Sequence, residues 1–114
     1  MRAHRGEVWL ARLDPVEGHE QAGTRPVLIM SIDSFNASPA QLVMMIPMTS
    51  KARPGHPFHI VETPTLDNGL TMMSSILCEQ PRTLSTQRLQ KRLGMASPST
   101  VDAAANLLRT LLGL

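Results

Sequence analysis

The sequence predicts a mainly β fold with some α: a small, strongly curved antiparallel sheet or barrel, its open side covered by a C-terminal helix. Three observations carry this reading. Short runs rich in Val, Ile, Leu and Met recur along most of the chain, separated by clusters of Gly, Pro, Asn, Asp and Ser. Apolar residues at sustained helical spacing occur only in the last stretch, after Ser97. No repeat, low-complexity stretch or linker interrupts the chain, so residues 1–114 read as one domain. That length buries roughly two-thirds of the surface of the unfolded chain, without help from a metal or disulfide.

The elements follow in order. "GEVWLARL" (6–13) sets Val8, Leu10 and Leu13 in imperfect alternation with Trp9 and Arg12, as in a strand. Asp14-Pro15 opens a loop to about Thr24, because the residue before proline is held out of the helical region. "RPVLIMSI" (25–32) is nearly all apolar, as in a strand buried on both faces. "DSFNASPA" has room for one short helical turn. "QLVMMIPM" (41–48) is the next strand, with Pro47 placing its end at an edge or bulge.

"TSKARPGHP" (49–57) is a basic loop, "FHIVET" (58–63) a strand, "PTLDNG" (64–69) a turn, and "LTMMSSILCEQ" (70–80) one or two further strands. "STQRLQKRL" (85–93) reads as a short helical piece closed by Gly94. Ser97-Pro98 then supplies a helix cap and a first-turn proline. Val101, Ala104, Ala105, Leu108, Leu111 and Leu112 form the apolar stripe of that last helix.

Composition narrows the function. No run approaches the ~18 apolar residues of a membrane span, and "MRAHRGE" carries no apolar signal core, which makes a cytoplasmic location the expectation. The single cysteine, Cys78, excludes an intrachain disulfide and reads as a small buried residue. A net charge of +2 is mild, but the cations are mostly arginines, the side chain whose fork fits phosphate oxygens. Trp9, Phe35 and Phe58 are the only aromatic residues, too few for base stacking to be the main grip on a nucleic acid. Met44, Met45, Met48, Met72 and Met73 read as core filler.

Three segments hold candidate chemistry. "GHEQAGTRP" brings His19, Glu20, Gln21 and Arg25 to the loop before a buried strand. "PMTSKARPG" puts Thr49 and Ser50 at a strand end, where hydroxyls and backbone N–H groups can meet phosphate, with Lys51 and Arg53 beside them. "CEQPRT" carries Glu79, Gln80 and Arg82, and simple alternation turns Glu79 away from Cys78 and Gln80. His56 and His59 lie three apart in what reads as a strand, hence on opposite faces, a poor metal pair. No metal or other cofactor is expected.

"RGEVWLARLDPVEGHEQAGTRPVLIMS", "IPMTS" and "CEQPRT", in this order and at this spacing, resemble the three signature blocks of the MazF/PemK/Kid toxins of bacterial toxin–antitoxin systems. The resemblance extends from residue 5 to the closing Leu-Gly. It implies an SH3-like barrel of the CcdB/PemK type, acting as a homodimer. It further implies a metal-independent endoribonuclease (an mRNA interferase) that cuts single-stranded RNA at a short sequence, leaving a 2′,3′-cyclic phosphate and a 5′-hydroxyl. A small MazE/PemI-like antitoxin with an acidic tail is the implied protein partner. By position, the resemblance carries the catalytic roles to Arg25, Thr49 and Glu20, and in the Kid/PemK branch also to His19 and Glu79. Gln21, Ser50, Lys51, Arg53, Gln80 and Arg82 are expected to bind the RNA. One departure stands out: Kid has a catalytic arginine directly before the cysteine, where this chain has Leu77.

Metal-free RNA cleavage needs a base for the 2′-OH, donors for the dianionic phosphorane and an acid for the leaving 5′-oxygen. An arginine stays protonated and suits the second role, so Arg25 is expected to stabilise the transition state, with Thr49 as a neutral donor. His19, Glu20 and Glu79 compete for the base. The expectation is that His19 titrates in the rate while Glu20 orients Arg25 or the RNA. The alternatives are a CcdB-like gyrase poison, which shares the fold but uses a C-terminal tryptophan that "RTLLGL" lacks, and a non-catalytic binding barrel.

Overall fold

The computed structural model describes residues 2–114. Its strands are β1 (Glu7–Arg12), β2 (Thr24–Ile29), β3 (Leu42–Thr49), β4 (His59–Glu62), β5 (Ser74–Leu77), β6 (Arg82–Ser85) and β7 (Leu89–Met95). A single-turn helix α1 (Asp33–Asn36) follows β2, and helix α2 (Pro98–Leu112) ends the chain. The strands form one antiparallel path, β4-β5-β3-β2-β1-β7, with β6 beside β3. The sheet curves strongly but does not close, since β4 and β7 end the path unpaired with each other. The expected architecture holds as a curved sheet capped by a helix rather than a hydrogen-bonded barrel.

β3 is the hub. Met45, Ile46 and Pro47 pair with Ile29, Leu28 and Val27 of β2. Beside β6, β3 pairs over Leu42–Met45, and beside β5 over Met48 and Thr49. Ile46 and Pro47 lie between these two partners, so the irregularity expected at Pro47 is a change of neighbour within the sheet. Both sheet faces are buried, which explains the near-continuous apolar runs. Val8, Leu28, Ile46, Met48 and Ile76 point to the face covered by Val101 and Ala104 of α2. Trp9, Ala11, Val27, Ile29, Val43 and Met45 point to the other.

α2 starts as its sequence dictates: the Ser97 hydroxyl accepts from Thr100 N–H at 3.3 Å, and Gly113 ends the helix at φ 72°. Its buried stripe is shorter than expected. Leu107 packs on the core with Ala105 and Leu108, whereas Leu111 and Leu112 are exposed. Met44, Met72 and Met73 are also exposed, so only part of the methionine set fills the core. Residues 70–80 supply one short strand, not two.

The main correction falls on residues 85–93, which form no α-helix. Ser85 ends β6, one 3₁₀ turn spans Thr86–Arg88, and Leu89 begins β7 against β1. Leu89 and Leu93, four apart, imitate helical spacing. Two register shifts in the β1–β7 pairing instead send Leu89 to one core face and Leu93 to the other. Gly94 is needed for close approach, not for a helix end. A Cβ there would lie 2.1 Å from the Asp67 carbonyl oxygen. The turn over residues 64–69 thus presses directly on β7, and Met95 N–H donates to Asp67 O at 2.7 Å.

Candidate active site

The loop between β1 and β2 is anchored at its base and its tip. Leu13 N–H donates to Gly23 O at 2.8 Å, and Gly23 N–H to the Asp14 carboxylate at 3.1 Å. Near the tip, Gln21 N–H donates to the Gln80 side-chain oxygen at 2.9 Å, tying the loop to the turn after β5. That turn closes through Gln80 N–H to Leu77 O at 2.9 Å. Because the chain turns at Cys78, alternation stops there: Cys78 enters the core while Glu79 and Gln80 both face the same depression.

The depression has a volume of about 370 Å³, and His19, Arg25, Thr49 and Glu79 line it together. Gln21, Lys51, Arg53 and Gln80 complete the polar rim. Arg25 stands near the start of β2, opposite Ala11. Its Nε–H donates to the Ala22 carbonyl at 2.8 Å. With the Gln21 amide oxygen turned toward the guanidinium, that oxygen accepts from Nε at 2.5 Å and from Nη2 at 3.2 Å. One edge of the guanidinium is thereby fixed, and among the described residues no carboxylate lies within 4 Å of it.

Thr49 ends β3 opposite Ser75 and is buried. Its hydroxyl oxygen accepts from Lys51 N–H at 3.2 Å, which leaves its own proton to donate. The Ser75 hydroxyl accepts from Arg53 N–H at 3.0 Å, folding the basic loop back over the site. Arg25, Lys51 and Arg53 give the depression the positive charge a phosphodiester needs.

Not every expected residue joins this group. Glu20 turns back on its own loop, where its Oε1 accepts from Glu17 N–H at 3.1 Å. With Arg82 it lines an adjoining depression of about 390 Å³, which shares His19, Gln21, Glu79 and Gln80 with the first, and it makes no hydrogen bond to Arg25. Adjacent loop residues point different ways, and here Gln21 takes the orienting contact. Arg82 donates from Nη1 to Leu13 O at 2.8 Å, a structural tie beneath the loop. Ser50 is exposed and lines a third depression of about 310 Å³, with Arg25, Leu70 and Met72.

One residue of the site escaped the sequence reading. His59 begins β4 opposite Leu77 and lines the same depression. Its Nε2 lies 3.0 Å from Glu79 Oε2, and its ring stacks on His56 with centroids 3.7 Å apart and planes 10° from parallel. The expected opposite-face placement fails because the strand starts only at His59, leaving His56 in the preceding turn. His56, His59 and Glu79 bring potential ligand atoms within 4.8 Å of one another. Imidazole lone pairs lie in the ring plane, however, and stacked parallel rings do not aim theirs at one point.

A family model described as PemK-like, MazF-like toxin of type II toxin–antitoxin system matches residues 4–112. Endoribonuclease PemK of Escherichia coli is 36% identical over 110 residues, covering 95% of this chain and 80% of that protein. A crystal structure of MazF from Deinococcus radiodurans superposes with a TM-score of 0.88 at 27% identity, covering 100% of this chain and 99% of that one. A mycobacterial endoribonuclease in complex with its cognate antitoxin gives a TM-score of 0.76 at 25% identity, covering 99% and 95%. With its fold, its three sequence blocks and this matched length, the chain belongs to the PemK-like, MazF-like toxins of type II toxin–antitoxin systems.

Proposed function

We propose that the protein is the toxin of a type II toxin–antitoxin pair and a metal-independent endoribonuclease that cleaves single-stranded RNA by attack of the 2′-OH on the adjacent phosphorus. The observation that carries this reading is the meeting of His19 and Arg25, Thr49 and Glu79 around one basic depression, from three segments distant in sequence. In the reaction the 2′-O–P bond forms and the P–O5′ bond breaks. The fixed Arg25 fork and the Thr49 hydroxyl donate to the non-bridging oxygens as they gain charge. Glu79 takes the 2′-OH proton, and His19, as imidazolium, returns one to the leaving 5′-oxygen. The products are a 2′,3′-cyclic phosphate and a 5′-hydroxyl.

Glu20 is held by its own loop and lines only the adjoining depression, whereas Glu79 lines both, so the carboxylate role goes to Glu79. Lys51 and Arg53 hold the RNA backbone, while Gln21 and Gln80, already joined to each other, present polar groups to base edges at the rim. A single strand is required because an A-form duplex keeps the 2′-OH out of line with the leaving oxygen.

The endoribonuclease activity of the Escherichia coli relative and the antitoxin complex of the mycobacterial one support this reading. The partner is a MazE/PemI-like antitoxin whose acidic tail lies across the basic depression, and the toxin works as a homodimer in the cytoplasm. Among the described residues no helix is long and apolar enough to cross a membrane.

The test incubates purified protein, in EDTA, with a long RNA of mixed sequence and maps the 5′-hydroxyl ends. Cuts at one short motif, absent with Arg25→Ala, are the expected result. An intact RNA, or cuts that persist in the variant, contradicts the proposal.

A further inference from the structure

We propose that His59 is the positioning residue for Glu79, a buried imidazole that donates Nε2–H to the carboxylate and holds it in the RNA-cleaving depression. The inference rests on the cleavage reading above and adds a residue that none of the three sequence blocks contains.

The asymmetry of the pair sets the direction of action. The His59 side chain is 4% exposed, whereas that of Glu79 is 33% exposed. The imidazole is therefore the fixed member and the carboxylate the one that reaches the open depression. The donor nitrogen follows from the other side of the ring. His59 Nδ1 is buried and has no hydrogen-bond partner among the described residues. A proton placed there would be a buried donor without an acceptor, whereas a proton on Nε2 meets Glu79 Oε2 at 3.0 Å. The ring thus carries its proton on Nε2 and donates.

The plane of the ring is fixed as well. His56 stacks on it in parallel, and His56 Nδ1 in turn accepts from Phe58 N–H at 3.2 Å. Leu77, the cross-strand neighbour of His59, is an apolar wall of the same depression. Together these contacts leave Glu79 Oε2 bound to a fixed imidazole, in the depression that Arg25 and Thr49 also line. A carboxylate tethered at one oxygen loses less freedom on reaching the in-line geometry than an untethered surface glutamate.

The test compares His59→Ala, His59→Gln and His59→Asn with the parent protein on an oligonucleotide containing the mapped cut. A glutamine places its amide nitrogen near the Nε2 position, and an asparagine places its nitrogen nearer Nδ1. His59→Ala and His59→Asn should lower kcat by about 10- to 100-fold, with affinity for the 2′-deoxy, uncleavable oligonucleotide within about twofold. His59→Gln should restore most of the loss. In a Glu79→Gln background, His59→Ala should cost nothing further, because the two residues act as a unit.

Parent-level kcat in both His59→Ala and His59→Asn overturns the inference, as does a folded His59→Gln that is as slow as His59→Ala. Nitrogen-15 spectra of the imidazole in the unmodified protein give a measurement free of folding artefacts. A proton on Nε2 is expected, and a proton on Nδ1 overturns the inference. If Arg25→Ala and Glu79→Gln abolish cleavage while His59→Ala does not, only the positioning role falls. If Glu79→Gln cleaves normally, the assignment of the base falls with it.

Discussion

Replacing Arg25 by lysine separates charge from geometry at the centre of the proposed site. The guanidinium is held at one edge, by Ala22 O and the Gln21 side chain, so its remaining N–H groups point as a fixed fork. Two charge-assisted hydrogen bonds to the phosphorane, each worth about 1.5–3 kcal/mol, amount to about 3–6 kcal/mol. At about 1.4 kcal/mol per decade, Arg25→Ala should lower kcat by about 10²- to 10⁴-fold. Lysine keeps the positive charge but has no Nε to engage Ala22 and no second donor arm. It should recover one bond at most and remain about 10- to 100-fold below the parent. The assay is kcat and KM on a short RNA carrying the mapped cut, with circular-dichroism melting as the check on folding. An Arg25→Lys protein as fast as the parent would refute the fork argument, and an equally fast Arg25→Ala would remove Arg25 from the site.

Three further outcomes follow from the scaffold. Burial works to raise the Glu7 carboxyl, but its bonds to Arg92, His4 N–H and Trp9 outweigh that and hold it below the ordinary 4.5. Its contribution to stability is therefore present above pH 4.5 and is lost as pH falls through the lower folded value. Glu7→Gln should cost about 1–3 kcal/mol at neutral pH, moderated by the exposure of Arg92, and should flatten the acid limb of a urea-melting series. An unchanged acid limb contradicts this. Gly69→Ala should cost about 2–5 kcal/mol in urea unfolding, since φ is +68° and the new Cβ would lie 2.0 Å from Leu93 O. A loss below about 0.5 kcal/mol would show that the contact relaxes. Burial first, and Glu79 second, push the Cys78 thiol up to about 11. It should resist DTNB at about pH 8 until the protein is unfolded, and rapid labelling of the native protein contradicts that account.

The grouping of Arg25, Thr49, His19 and Glu79 is what the family resemblance implies, whereas the residues by themselves supply only the apolar runs of the strands beside them. Those runs are long enough to set the strand, and the strand end sets the residue's place. The contrast between Glu20 and Gln21 was not legible. Neighbouring residues in a loop point in directions that depend on backbone turns, and here the Glu17 N–H captures Glu20 while Arg25 turns to Gln21.

His59 was hidden for a different reason. Its value depends on facing Leu77 across β4 and β5, a register that no local pattern encodes. The same limit explains β7. The spacing of Leu89 and Leu93 imitates a helix, and only the two register shifts against β1 show why a strand would place leucines there. The two helix ends, by contrast, are set by local chemistry at Ser97 and Gly113 and needed no tertiary information.

The central claim is that RNA itself supplies the nucleophile, its 2′-OH, to the depression around Arg25. The most direct measurement uses two oligonucleotides identical except for a single 2′-deoxy sugar on the 5′ side of the mapped cut, incubated with the protein in EDTA. The account predicts cleavage of the all-ribose strand to a 2′,3′-cyclic phosphate and a 5′-hydroxyl, detected by mass spectrometry, with the deoxy strand left intact. Cleavage of the deoxy strand at the same bond, or a 5′-phosphate on the product, would contradict it.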